Sequence, residues 1–241
     1  MMPSSEASLD ATARELGRLL DSIFAGLERL RVDADAIFST GGATRSSLSA
    51  LRVPAEHFIV EHGDLVDGAG IAVAPGVLAD SETWLQWWRR DSTGGVSFAP
   101  HSFNPVSMNY YDYTSMPWFQ RCAQSGNPVL SGPYIDQGGT DLKVITASVP
   151  LEHGDPGRSV IATDLSLDFI ESTFLRALGR RTQKIALVTD TGKVVASNTA
   201  RFATGTLLHA EREAGSPQGL RGTDVPCASL PDGSWRLVVA E

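Results

Sequence analysis

The sequence is poor in the residues from which catalytic and metal centres are built. It has 241 residues, of which 2 are cysteine and 5 histidine. Cys122 and Cys227 form no CxxC pair and no Cys/His cluster, so they make no metal site, and both read as small buried apolar residues. His57, His62, His101, His153 and His209 are scattered and read as surface or hydrogen-bonded core residues. There is no GxSxG and no HExxH, and Cys122 has no histidine in a recognisable partner motif, so the chain reads as a non-enzyme. Ser39-Thr40-Gly41-Gly42 is not a phosphate loop, because no Gly-Lys-Ser/Thr follows. Positive charge is short as well: a formal net charge of −8 argues against a nucleic-acid surface, which needs a basic stripe. No cofactor is implied.

Long apolar runs are also missing. No stretch reaches the ~18 apolar residues of a transmembrane helix. The start, MMPSSEASLDATARELGRLL, is acidic early and lacks the basic and apolar regions of a signal peptide. The chain as given is expected to be cytoplasmic, with no membrane partner, or extracytoplasmic if it is an excised receptor region. With 42% hydrophobic and 20% charged residues the composition is that of a globular protein.

Tyrosine is scarce and unevenly placed. All 4 tyrosines, Tyr110, Tyr111, Tyr113 and Tyr134, fall in one short stretch, with Trp118 and Phe119 among them. A large apolar face with one polar tip suits ligand contact as well as packing. This stretch reads as an aromatic turn, a short helix at 117–123 opened by Pro117, strands at 129–134, 142–151 and 159–163, and a helix at 165–178. It forms the expected wall and floor of a small-molecule pocket.

Before it lies a long helix over 7–38. Leu16, Leu20, Ile23, Leu27 and Leu30 make one narrow stripe, which fits either a seam between two subunits or a helix lying along its own domain. A second helix is expected over 46–61, interrupted near Pro54. Strands follow at 70–74 and 84–90. In the latter, Trp84 and Trp88 share one face and Trp87 lies on the other. These tryptophans read as core packing or as pocket lining. After Gly179, strands at 185–188 and 194–197 flank Asp190-Thr191-Gly192, and strands at 225–230 and 235–239 flank Pro231-Asp232-Gly233; both are hairpin signals. The expected fold class is α+β: residues 1–40 a long helix, 41–178 a first, ligand-binding module, and 179–241 a second, smaller one.

The aromatic turn before Pro-Trp-Phe, then Gly-Pro-Tyr-Ile-Asp, Ala-Ser-Val-Pro and Ala-Thr-Asp-Leu-Ser-Leu, resemble the double Cache (PDC, PAS-like) sensor domains. The resemblance implies two PAS-like antiparallel-sheet modules in series and a ligand in the first. It also implies a first helix that often dimerises, here as a homodimer, and a downstream signalling partner that the sequence does not name. The amino-acid-binding subset of that family has a tyrosine, an arginine, Trp-Tyr, a later tyrosine and an aspartate. Tyr111, Trp118, Tyr134 and Asp164 match these in type. Phe119 stands in place of the second aromatic, and Met116 stands where the arginine is expected. A thioether cannot replace a guanidinium on a carboxylate. The resemblance therefore points to a cationic amine, protonated or quaternary. Asp164 would supply the counter-charge and Tyr111 and Tyr134 the oxygens and rings. Trp118, Phe119 and Trp88 would add aromatic faces, and Asp136 is a further candidate that also reads as a turn former. An amino-acid or carboxylate sensor, reached by an arginine such as Arg89, Arg90 or Arg121, and a ligand-free structural or dimerisation module are the alternatives.

Overall fold

The computed structural model describes residues 5–91, 93–139, 142–152, 158–208, 222–230 and 235–240. The stripe on the first helix fixes where that helix goes. Helix α1, Ser5–Ser39, buries Leu16, Leu20, Ile23, Leu27 and Leu30 within its own chain, each at most 4% exposed. This corrects the reading of the stripe as a seam between subunits: it belongs to the core. Gly26 shows how close the packing is, since a Cβ there would run into the Phe58 ring. The interruption in the next helical segment falls earlier than expected. Helix α2, Arg45–Leu48, gives way to a 3-10 turn at Ser49–Leu51 before α3, Arg52–Glu61. Pro54 lies in the first turn of α3, where a missing N–H costs little.

The chain divides into two compact units: residues 23–131 with 135–166, and residues 1–22, 132–134 and 167–241. The larger contains β1 (Val66–Val73), β2 (Trp84–Arg90) and β3 (Val96–Phe98), then α4 (Pro117–Ser125), then β5 (Lys143–Pro150) and β6 (Val160–Ser166). With β4 (Val129–Ile135) these strands form a six-stranded sheet of order β3-β2-β1-β6-β5-β4. The pairs β1–β2, β1–β6, β2–β3 and β5–β6 are antiparallel. Helix α3 packs on β1 and β2, and α4 on β5 and β6. The Arg90 guanidinium marks which face of β2 meets α3, donating to the carbonyls of Ile59 and Gly63 at 2.7 Å.

The other unit carries α5 (Leu167–Leu178) and a four-stranded antiparallel sheet of order β8-β7-β10-β9. Its strands are β7 (Lys184–Thr189), β8 (Val194–Ser197), β9 (Gly222–Asp224) and β10 (Trp235–Ala240). The hairpin of β7 and β8 is present as expected. The strand expected at 225–230 is not: β9 ends at Asp224, ahead of Pro226, which has no N–H to offer a ladder. The turn at 231–233 lies outside the described residues. The fold class is α+β, a long first helix followed by two antiparallel-sheet modules.

Because the α1 stripe is core, Ile23→Ala should cost about 2–5 kcal/mol of folding stability in a chemical denaturation experiment. Val32→Ala, on the exposed face of the same helix, should cost little. Equal and small effects would return the stripe to the surface.

Candidate functional site

Strand alternation lays out the face of the larger sheet that α3 does not cover. Across β2, β1, β6 and β5 the cross-strand neighbours are Leu85–Ala72–Val160–Pro150, Trp87–Gly70–Ala162–Ser148 and Arg89–Gly68–Asp164–Thr146. The middle of this face is made of glycine and alanine, which leaves room above it. Trp87 takes part of that room: a Cβ on Gly68 would sit 2.6 Å from its Nε1, while one on Gly70 would run into the backbone of β2, at the Gln86 carbonyl oxygen. Trp118, the second residue of α4, comes down from the other side, and the Ser148 hydroxyl fixes it there by donating to its carbonyl at 3.0 Å.

These groups enclose a small cavity lined by Leu85, Trp87, His101, Tyr111, Trp118, Asp136 and Asp164, with about 10 Å³ open to the centre of a water molecule. That is about the room one water needs, so a larger guest has to part the walls. His101 also lines an open depression with Pro100, Ser102, Asn109, Gly138 and Gly139, so the imidazole borders both spaces.

The cavity is unusually polar for its depth. Asp164 is 5% exposed and Asp136 3%. The Tyr111 hydroxyl donates to Asp136 Oδ1 at 2.8 Å, and the Thr146 hydroxyl donates to Asp164 Oδ1 at 2.7 Å. Burial pushes the Asp164 carboxyl up to about 8, and the charge of Asp136 pushes the same way. The Thr146 hydrogen bond and the Arg89 charge oppose the rise without cancelling it. Burial also holds the His101 imidazole below its ordinary value, against the pull of Asp136, so it is neutral near pH 7. Two lining atoms, Trp87 Nε1 and His101 Nδ1, are buried with no hydrogen-bond partner among the described residues. Buried polar groups are nearly always paired, so these two atoms each have a hydrogen bond left to make inside the cavity.

The structure brings Tyr111, Trp118, Asp136 and Asp164 together around this cavity and places the other candidates elsewhere. Trp88 lies on the opposite face of β2 from Leu85 and Trp87 and is buried there. Phe119 is buried edge-on against Tyr113, its ring centroid 5.4 Å away, where it braces the wall rather than lining it. Tyr134, half-buried on β4, is not among the lining residues. Met116 is the N-cap of α4, its extended backbone turning the chain into the helix, and it too is off the cavity wall. Asp164 is not a helix cap, for it sits within β6 and α5 begins at Leu167. Asp136 plays both expected parts: its carbonyl accepts from Gly139 N–H at 3.2 Å in a turn, while its carboxylate faces Tyr111.

His101 corrects the reading of the histidines as uninvolved, at least for this one. It stands against Tyr111, ring centroids 5.2 Å apart, with one nitrogen unpaired. His153 and His209 lie outside the described residues. Trp87 and Leu85 are further lining residues that the aromatic stretch did not announce. The signal for Trp87 was present in the alternation of β2 against Gly68 and Gly70, which only the strand register turns into a cavity.

The fold places a buried polar cavity on the larger sheet. Residues 59–172 match the family described as methyl-accepting chemotaxis protein-like, first PDC sensor domain. Comparison with curated proteins gives no match. Among solved structures the chain is similar to "Methyl-accepting Chemotaxis protein X", at 14% identity and a TM-score of 0.62, over 97% of each chain. It is similar to the ligand-binding domain of the Pseudomonas aeruginosa amino acid chemoreceptor PctB in complex with L-Arg, at 16% identity and a TM-score of 0.64, over 97% of this chain and 92% of that one. It is also similar to that of the amino acid chemoreceptor PctC from the same organism in complex with GABA, at 16% identity and a TM-score of 0.59, over 98% and 97%. At these identities the likeness establishes the fold. No described helix is long and apolar enough to cross a membrane.

The raised Asp164 carboxyl has a consequence for the empty protein. An unfolded aspartate titrates near ~3.9. The folded value is higher, so the contribution to stability is fully present below the unfolded value and is lost as pH rises towards about 8. Asp164→Asn, which stays neutral, should therefore melt higher than wild type in the absence of ligand, by a margin that widens between pH 5 and 8. A margin independent of pH, or a variant that melts lower at pH 8, would contradict the assignment.

Proposed function

We propose that this chain is the ligand-recognition part of a signalling receptor, and that its cavity takes a small molecule carrying an ammonium group. The observation that carries the reading is Asp164: a carboxyl sealed from water, beside a second carboxylate, with no cation bonded to it. An ammonium supplies the missing charge, and both carboxylates then gain. The rings of Tyr111, Trp118 and Trp87 add favourable faces for a cation. The ligands of the similar chemoreceptor domains support the reading, since L-Arg and GABA both bear an amino group.

The signal passes to a partner protein of the downstream apparatus. Self-association through α1 has to use its outer face, where Ala25, Val32 and Ala36 are exposed, because the leucine stripe is buried. The further narrowing to an amine without a carboxylate rested on Met116. That residue caps α4 and does not line the cavity, so it does not decide the point. The reading of a closed structural module is disfavoured by the unpaired atoms on Trp87 and His101, which a permanently empty core gives no reason to keep.

An ammonium binds an ionised Asp164, and in the empty cavity that carboxyl holds its proton up to about 8. Binding therefore releases a proton. Affinity for an ammonium ligand should rise by roughly tenfold per pH unit between pH 6 and about 8 and then level off. Calorimetric titration in two buffers of different ionisation enthalpy counts the released proton. An affinity that falls as pH rises would mean that the neutral acid donates to an anionic ligand instead.

A further inference from the structure

The cavity leaves about 10 Å³ to the centre of a water molecule, whereas the depression beside it leaves about 410 Å³ by the same measure. Among the described residues that line these two spaces, His101 alone is common to both. Its imidazole is the wall between them.

This piece of wall differs from the rest. The other six lining residues are each at most 5% exposed, whereas His101 is half-buried. Leu85, Trp87 and Asp164 stand on strands and Trp118 on α4, while Tyr111 and Asp136 are joined by a hydrogen bond of 2.8 Å. His101 stands on a loop, its Nδ1 buried without a hydrogen-bond partner and its ring resting on Tyr111. The backbone on either side is tied down: Ala99 N–H donates to the Trp87 carbonyl and Tyr111 N–H to the Ser102 carbonyl, both at 2.9 Å. Motion at this point of the wall therefore falls on the imidazole, and side-chain rotation is among the fastest motions a protein makes. The depression it would turn into is lined in part by Gly138 and Gly139, which offer no side chain to fill it.

Charge biases the same movement. Burial disfavours the imidazolium, and Arg89 on β2 adds to that; Asp136 and the Ala99 carbonyl favour it without prevailing. The Asp164 carboxyl on β6 and the Tyr111 phenol share the cavity with the ring. A protonated His101 therefore gains by moving towards the water of the depression.

We propose that the His101 side chain is the gate of this cavity: turned inward it separates the cavity from the depression, turned outward it joins the two and lets a small guest pass, and protonation favours the outward position. The gate goes beyond the ammonium reading, since a path of entry serves a guest of any charge.

Hydrogen exchange at the Trp87 indole tests the gate without any ligand. Trp87 Nε1–H is buried at the cavity, and water reaches it only when the wall opens. The Trp88 indole, buried on the opposite face of β2, is the control, because the two share the same intrinsic exchange chemistry. Exchange is followed by NMR on the whole chain, with the two signals assigned from Trp87→Phe and Trp88→Phe. His101→Ala should speed exchange at Trp87 about tenfold or more and leave Trp88 unchanged. His101→Phe, which refills the wall, should stay close to wild type. In wild type the Trp87-to-Trp88 ratio of rates should rise as pH falls from about 7 to 5, across the histidine range, and in His101→Phe it should stay flat. An unchanged Trp87 rate in His101→Ala, equal acceleration of both indoles, or a wild-type ratio that follows the same pH course as His101→Phe would each overturn the gate. Failure of every amine to bind would overturn the ammonium reading and leave the gate standing.

Discussion

A carboxyl kept from water with no cation bonded to it is the constraint around which this sheet is built. Asp164 projects from the middle of β6, and its neighbours on that face are small or polar: Gly68 on one side and Thr146 on the other. A larger residue at Gly68 would meet the Trp87 indole, and Trp87 lines the cavity beside the carboxyl. The same closure that excludes water is what raises the Asp164 proton affinity to about 8. The ionised form of this carboxyl therefore carries a free-energy cost, and under the proposed reading a cationic guest removes it. In a sensor this coupling is useful, because differential stabilisation of one state is the only means by which a ligand shifts an equilibrium.

Other residues hold the cavity walls at their separation. Tyr113 is the main brace: its hydroxyl donates to the Val73 carbonyl at 2.6 Å and accepts from Trp84 N–H at 3.1 Å, tying the loop before α4 to the ends of β1 and β2. Phe103 and Phe119 stand edge-on to its ring. On the far side of the sheet, Arg90 fixes α3 by its carbonyls. These contacts are structural, yet they set where Tyr111 and Trp118 stand, so the line between scaffold and site runs within the aromatic stretch itself. Cys122 fits this division: buried, its thiol pushed up to about 12 by burial, it is packing and not a nucleophile.

The fold was largely legible because its signals are local. The α1 stripe, the Asp190-Thr191-Gly192 hairpin and the Pro117 helix start each follow from periodicity or turn chemistry over a few residues. What the stripe faces was not legible, since an apolar seam looks the same whether the partner is a second chain or the chain's own core. The site was half legible. Tyr111, Trp118, Asp136 and Asp164 come from the aromatic stretch and the strand after it, where residue type and order mark them. Trp88 was favoured over Trp87 without a register, and the choice between alternate residues of a strand depends on which face the neighbouring strands leave open. His101 carries no local signal at all. Its place appears only when the loop before Tyr111 lays its imidazole on that ring.

The central claim is that Asp164 is a neutral acid in the empty cavity and becomes the counter-ion of a bound ammonium. The most direct measurement is a side-chain carboxyl titration of Asp164 by carbon-detected NMR, with and without a saturating amino-group ligand. The account predicts a midpoint near 8 in the free protein and an ionised carboxylate throughout the range from ~5 to 8 in the complex. A midpoint near the ordinary value of ~3.9 in the free protein, or one that ligand leaves unchanged, would contradict it.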